Sequence, residues 1–231
     1  MIQTYTMIFW ARPHELHIDE MTDICYRILT ELESYGEELA PKYLPGRRKK
    51  DAKEFDLDKE NIKRLLEEDV NEPFPDHARR IGFFSSLKDE LTSSVGIGIG
   101  NSSPMFNNVL DVSLPDENFS GLDQRRGDLE SLFKRLVSIF NPYFAFLENG
   151  LNNQLSDKFK KDNKPTYVHW LNYYDKSTAK KIGRKKLEHL DQCEAFSDGY
   201  YLKLQDAPID VNQPEHLELQ RQVSEQLGLL G

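Results

Sequence analysis

This 231-residue sequence has no long apolar run, because no stretch approaches the ~18 consecutive apolar residues of a membrane-spanning helix. Its two cysteines, Cys25 and Cys193, lie far apart and outside any CxxC motif, which argues against a disulfide framework and a thiolate zinc site. Residues 1–13 lack the basic segment and cleavage pattern of a signal peptide. We therefore expect a cytoplasmic protein with reduced thiols.

The common catalytic motifs are also missing. The glycine-rich stretch 96–101 does not have the GxGxxG spacing of a nucleotide-binding loop, and no GK[ST] follows it. The HELH stretch 14–17 is one residue shorter than the HExxH pattern that places two zinc ligands on one helical turn. There is no GxSxG motif for a serine nucleophile. We therefore expect no catalytic residues, no metal and no cofactor, which favours a protein that acts by binding.

The charge is acidic overall but unevenly distributed. The chain has 30 Lys and Arg against 39 Asp and Glu, a formal net charge of −9. An acidic balance argues against binding nucleic acid over the whole surface, because phosphates require a basic face. It suits a basic protein partner, because complementary charge accelerates association.

Hydrophobic periodicity predicts the secondary structure. Helices are expected at 18–35, 57–68, 126–140, 175–190 and 214–230. Strands are expected at 2–10, 143–148, 166–174 and 199–204, with a β-meander over 80–114. The order lacks strict βαβ alternation, so we expect an α+β fold with a mainly antiparallel β-sheet, flanking helices and a single domain over 1–231.

Several residues carry individual expectations. Gly96 and Gly98 alternate with apolar residues, which predicts a strand whose glycine face lies against a bulky group such as a helix or a tryptophan ring. His169 falls within the strand expected at 166–174 and is interpreted as a structural histidine. Trp10 and Trp170 are expected in the core.

Two alternative functions start from charged residues. A nuclease-like arrangement of two carboxylates and a lysine can be drawn from Asp198, Asp206 and Lys203, which would make the protein a metal-dependent nuclease or another hydrolase. Basic clusters at 42–53 and 176–186, with aromatic residues near the second, would suit a nucleic-acid-binding accessory protein. Each feature is also explained by ordinary charged residues on a solvated surface, without any function.

The ordered features of nearly the whole chain resemble one known family. They are an aromatic strand ending at Trp10-Ala11-Arg12, an acidic helix, a Gly-Arg-Arg-Lys-Lys turn at 46–50, the DLDKENIKRLL helix at 56–66, the strands opened by Gly82-Phe83 and Ser94-Val95, the strand Asn108–Pro115, and the late segment Val168–Tyr174. This order is similar to that of the immunity protein 52 family of bacterial polymorphic toxin systems.

The resemblance implies an antitoxin that binds and neutralises a cognate secreted toxin, often a nuclease, by protein–protein contact. The expected partner is a basic toxin domain encoded by a neighbouring gene, with no membrane and no nucleic-acid partner. Acidic residues near expected turns and one exposed aromatic residue are the candidate toxin-binding positions: Asp116, Glu117, Asp123, Asp206, Asp210 and Tyr200.

Overall fold

The computed structural model describes residues 4–70, 72–88, 92–115, 126–152 and 164–230. The described residues form the strands β1 (Thr4–Ala11), β2 (Tyr43–Leu44), β3 (Lys53–Glu54), β4 (Arg79–Phe84), β5 (Ser94–Ile99), β6 (Asn108–Pro115), β7 (Phe144–Asn149), β8 (Leu171–Asp175), β9 (Cys193–Phe196) and β10 (Gly199–Lys203). They also form the helices α1 (Ile18–Tyr35), α2 (Lys59–Glu68), α3 (Arg126–Phe140), α4 (Lys176–Ile182), α5 (Arg184–Glu188) and α6 (Pro214–Gln226).

All ten strands belong to one antiparallel sheet. Their order is β3-β2-β4-β5-β6-β1-β7-β8-β10-β9, so β1 lies near the centre with β6 on one side and β7 on the other. The helices flank this sheet, which confirms the expected α+β fold with a mainly antiparallel sheet.

One face of the sheet carries a layer of three helices. Helix α1 buries Cys25, Ile28 and Leu29 and packs against both α2 and α3. Phe9 of β1 meets Phe133 of α3 with ring centroids 5.2 Å apart, which joins this helix layer to the sheet. Because the apolar stripe of α1 runs the length of the helix, its position was predictable to the residue at both ends.

The opposite face is covered only over part of its width. The side chains that β7 and β8 direct to this face, which include Phe144, Phe146 and Tyr174, are buried. Helix α6 holds segment 164–170 on this face through two hydrogen bonds to Val168. The Val168 backbone N–H donates to the Ser224 hydroxyl, and the Val168 carbonyl accepts from the Gln220 side-chain amide.

On the other strands this face remains accessible to solvent. We call this region the open face. Every residue in it is partly or fully exposed: Thr6, Ile8 and Trp10 of β1, Arg80, Gly82 and Phe84 of β4, Ser94, Gly96 and Gly98 of β5, and Val109, Asp111 and Ser113 of β6.

Among the described residues, no helix or tryptophan ring lies against Gly96 or Gly98 of β5, contrary to expectation, whereas Gly100, just beyond the strand, approaches Met21 of helix α1. Gly96 lies opposite Gly82 and Asp111 in the ladder, and Gly98 lies opposite Arg80 and Val109. Trp10 is partly buried at the border of the open face and packs against the core through Phe144 and Phe146. Trp170 is buried as expected.

The strand expected at 166–174 begins only at Leu171. Asn172 closes a local turn over His169, because its side chain accepts from the His169 N–H at 2.8 Å and donates to the His169 carbonyl at 2.8 Å. These two bonds occupy backbone groups that a strand would have used for its ladder. The helix expected at 175–190 is interrupted at Gly183, whose φ of 112° does not continue a helix.

Strand β9 was not expected. It forms a hairpin with β10 through a two-residue turn at Ser197 and Asp198. As an edge strand it is exposed on most of its length, so its residues carry no hydrophobic alternation that would predict it.

Candidate protein-binding surface

Of the six sequence-predicted binding residues, Asp206, Asp210 and Tyr200 belong to the part of the chain that the structure describes. Asp116, Glu117 and Asp123 lie outside the described residues. Asp206 is almost fully exposed beyond the end of β10, where it pairs with Lys203 at 3.1 Å. All six candidates stay predictions.

Two of these candidates have local structural partners. The Asp210 carboxylate accepts from the Asn212 backbone N–H at 2.9 Å and closes the turn before α6. Tyr200 is half-buried rather than exposed, and its hydroxyl donates to Glu188 at 2.6 Å. Tyr200 projects from the sheet face opposite to the one where Lys203 meets α3, so it does not share a surface with Asp206.

The nuclease-like arrangement is not assembled. Asp198 lies in the turn before β10 and accepts from the Tyr173 hydroxyl at 2.5 Å. Lys203 lies at the other end of β10, five residues and therefore about 16 Å further along an extended strand. Among the described residues no group of three His, Cys, Asp or Glu could hold a metal ion.

The two basic clusters are also far apart. Cluster 42–53 includes β2 and β3 at one edge of the sheet, whereas cluster 176–186 follows β8. Six strand-to-strand spacings separate β2 from β8, which is about 29 Å at ~4.8 Å each. They therefore do not form one continuous basic patch.

A group of large apolar side chains is exposed at one end of the sheet. Met105 is 81% exposed, Phe74 53% and Phe106 50%. The His77 ring connects the two phenylalanines, because it stacks on Phe74 at 4.8 Å and meets the edge of Phe106 at 4.9 Å. We call Phe74, His77, Met105 and Phe106 the apolar rim. Clustered exposed apolar side chains are typical of sites that contact another protein.

Hydrogen bonds hold the two loops of the apolar rim together. The Asp76 carbonyl accepts from the backbone N–H groups of Ser102 (2.9 Å) and Ser103 (3.2 Å), which connects loop 72–78 to loop 100–107. Buried Asn108 accepts from the Asn101 N–H at 2.8 Å and donates to the Arg12 carbonyl at 3.0 Å. The rim is therefore presented by a loop pair that is already ordered, which limits the entropy lost on binding.

A shallow groove of about 280 Å³ lies on the open face, next to the apolar rim. Gly96 and Gly98 form its floor, Arg80 and Asp111 border it, and Asn107 connects it to the rim. We call it the glycine groove. Neither floor residue has a side chain, and at Gly98 a partner's side chain can approach the strand backbone directly.

Neither cysteine is prepared for reaction. Burial raises the pKa of the Cys25 thiol to about 12. Burial, with a contribution from Glu194, also raises the pKa of Cys193 to about 12. Both thiols are therefore protonated at neutral pH, whereas a nucleophilic cysteine requires a lowered pKa.

The apolar rim and the glycine groove were missed from the sequence. Phe74, Met105 and Phe106 stand in short stretches rich in Pro, Ser and Asn, which predict turns. Large apolar residues in such turns are the signal that could have indicated exposure. No corresponding signal marks Asp111, because a polar residue in an alternating strand is ordinary.

In the part of the chain that the structure describes, no helix combines the length and the apolar character needed to cross a membrane.

No protein-family model matches this sequence, and no curated protein proves similar to it. Membership of the immunity protein 52 family therefore stays a prediction. Among solved structures, the chain is similar to the T6SS protein PA0821 of Pseudomonas aeruginosa, with a TM-score of 0.60 and 14% sequence identity over 98% of this chain and 73% of that one. At this identity the likeness establishes a fold, and this chain shares the fold of PA0821.

Proposed function

We propose that this chain is an immunity protein that binds and neutralises a secreted bacterial toxin by protein–protein contact. It acts in the cytoplasm, without catalysis and without a cofactor. The toxin is a basic domain encoded by a neighbouring gene. The observation that carries the proposal is the apolar rim, whose side chains are exposed on loops that are already ordered.

The apolar rim has the properties of a binding hot spot. Hot spots are dominated by a few large side chains that become desolvated in the complex, and ordered loops lose little freedom when they bind. Met105 and Phe106 expose at least half of their surface, so most of their hydrophobic contribution is still available to a partner.

Two further observations support the proposal. The structural neighbour PA0821 is named as a T6SS protein, and type VI secretion belongs to competition between bacteria. The net charge of −9 suits a basic partner, such as a toxin domain that binds nucleic acid.

Co-expression with the toxin domain of the adjacent gene tests the proposal. We expect the chain to restore growth and to copurify with that domain. Met105→Asp places a charge in the apolar rim and should abolish both effects, whereas Ala195→Asp at an exposed position of edge strand β9 should retain them. A toxic neighbour that this chain neither binds nor neutralises would refute the proposed function.

A further inference from the structure

The glycine groove contains a carboxylate without a partner. Asp111 lies on β6 and directs its side chain onto the open face. Within the described residues no group donates a hydrogen bond to this carboxylate and no cation pairs with it. Asp111 is nevertheless only partly exposed to solvent in the groove, and this burial raises the pKa of its carboxyl group. A partly desolvated and unpaired anion is unfavourable, which makes it a strong acceptor for an incoming cation.

The strand next to Asp111 is shaped to admit this carboxylate. A Cβ atom at Gly96 would lie 2.5 Å from the Asp111 Oδ1 atom, closer than nonbonded atoms approach. The carboxylate therefore lies over the bare backbone of Gly96. Gly98 is different, because a Cβ atom there would meet its nearest neighbours, Ala78 and Val109, only at 3.7 Å.

The geometry points to a seat for one basic side chain, an arginine or lysine on the surface of the toxin, which enters the glycine groove and pairs with Asp111. The inference rests on the proposed function and specifies the chemistry of the partner. The groove adjoins the apolar rim, since its lining residues Ala78 and Asn107 directly follow the rim residues His77 and Phe106 in the chain. One interface can therefore bury the rim and fill the groove.

A protein cation fits this site better than a metal ion. A single carboxylate supplies at most two oxygen ligands, whereas Ca²⁺ takes six to eight and Mg²⁺ requires near-octahedral geometry. The described residues hold no set of three acidic, histidine or cysteine side chains that could complete such a site. A guanidinium or ammonium group needs only the carboxylate and brings its own donors.

The test measures binding of the catalytically inactivated toxin domain of the adjacent gene to three forms of the full chain. These are the wild type, Asp111→Asn, and the matched control Asp191→Asn, which removes an equal charge from an exposed turn before β9. We expect Asp111→Asn to weaken binding about 30-fold, mainly through faster dissociation, as the loss of one member of a desolvated charge pair does. Asp191→Asn should stay within about twofold, since an exposed charge contributes little.

Each outcome decides one claim. If Asp111→Asn binds within about twofold of the wild type, or if Asp191→Asn weakens binding equally, the seat is refuted while the immunity function stands. If the wild-type chain neither binds the toxin domain nor restores growth, the proposed function fails first. Gly96→Ala and Gly98→Ala give an independent comparison. Gly96→Ala must displace the Asp111 carboxylate, so it should weaken binding more than Gly98→Ala does. A larger effect of Gly98→Ala would refute the proposed binding site at Asp111.

Discussion

Truncating Met105 to alanine should weaken binding to the toxin domain while leaving the fold intact. Fully burying a methionine side chain contributes roughly 1.5–3 kcal/mol, and 81% of Met105 is still exposed in the free chain. Burial in a complex therefore supplies about 2 kcal/mol, which corresponds to a change in Kd of about 30-fold. Since little of this side chain is buried now, the free energy of unfolding should change by less than about 0.5 kcal/mol.

Isothermal titration calorimetry of the inactivated toxin domain gives the Kd, and urea denaturation gives the free energy of unfolding. Leu87→Ala is the matched control, because Leu87 is an exposed apolar residue beyond the opposite end of β4 and its loss should leave the Kd unchanged. Equal affinities for the wild type and Met105→Ala would show that the apolar rim is not the contact, and so would an equal effect at Leu87.

Three further changes test the structure around these sites. Asn108→Ala leaves the buried Asn101 N–H without its acceptor and takes from the Arg12 carbonyl one of its two hydrogen-bond partners, the other being the His14 ring, so urea denaturation should show a loss of about 2 kcal/mol. Asp58→Ala removes the N-cap of α2 and should lower stability by about 1 kcal/mol, seen as a lower Tm, and an unchanged Tm would contradict the cap. Asp111→Asn should be more stable than the wild type at pH 7, because burial raises the pKa of Asp111 and its ionised form disfavours folding there. The difference in the free energy of unfolding between Asp111→Asn and the wild type should decrease as the pH falls through the raised pKa of Asp111. It should disappear below the pKa of Asp111 in the unfolded chain, ~4. A difference that stays constant between pH 3 and pH 7 would refute this prediction.

The helices and most strands were predictable because their signals are local. Helix α1 carries an uninterrupted apolar stripe and ends before Gly36, and both bounds follow from its own residues. The order of strands in the sheet has no such signal. Nothing in the residues of β1 indicates that it lies between β6 and β7, because strand pairing depends on packing with residues that are distant in the sequence.

The binding surface was hidden for a related physical reason. Large apolar residues are assigned to the interior by default, and the exposure of Met105 and Phe106 depends on loops braced by Asn101 and Asn108. The sequence does show that these residues interrupt polar turns. It does not show that Asp111 and Gly96 lie opposite each other on the neighbouring strands β6 and β5, since this contact depends on the register in which the two strands pair.

The central position of β1 has a consequence for how the protein folds. Trp10 pairs with Val109 and Phe144, which follow it by 99 and 134 residues. Such distant pairings slow folding, because a long loop must close before the contact stabilises anything. Until both partners are available, the strand TYTMIFWA is an unpaired and aggregation-prone segment during synthesis. Chaperone dependence and slow refolding should therefore accompany this fold, and variants in β1 should reduce soluble yield more than variants of equal stability in α2.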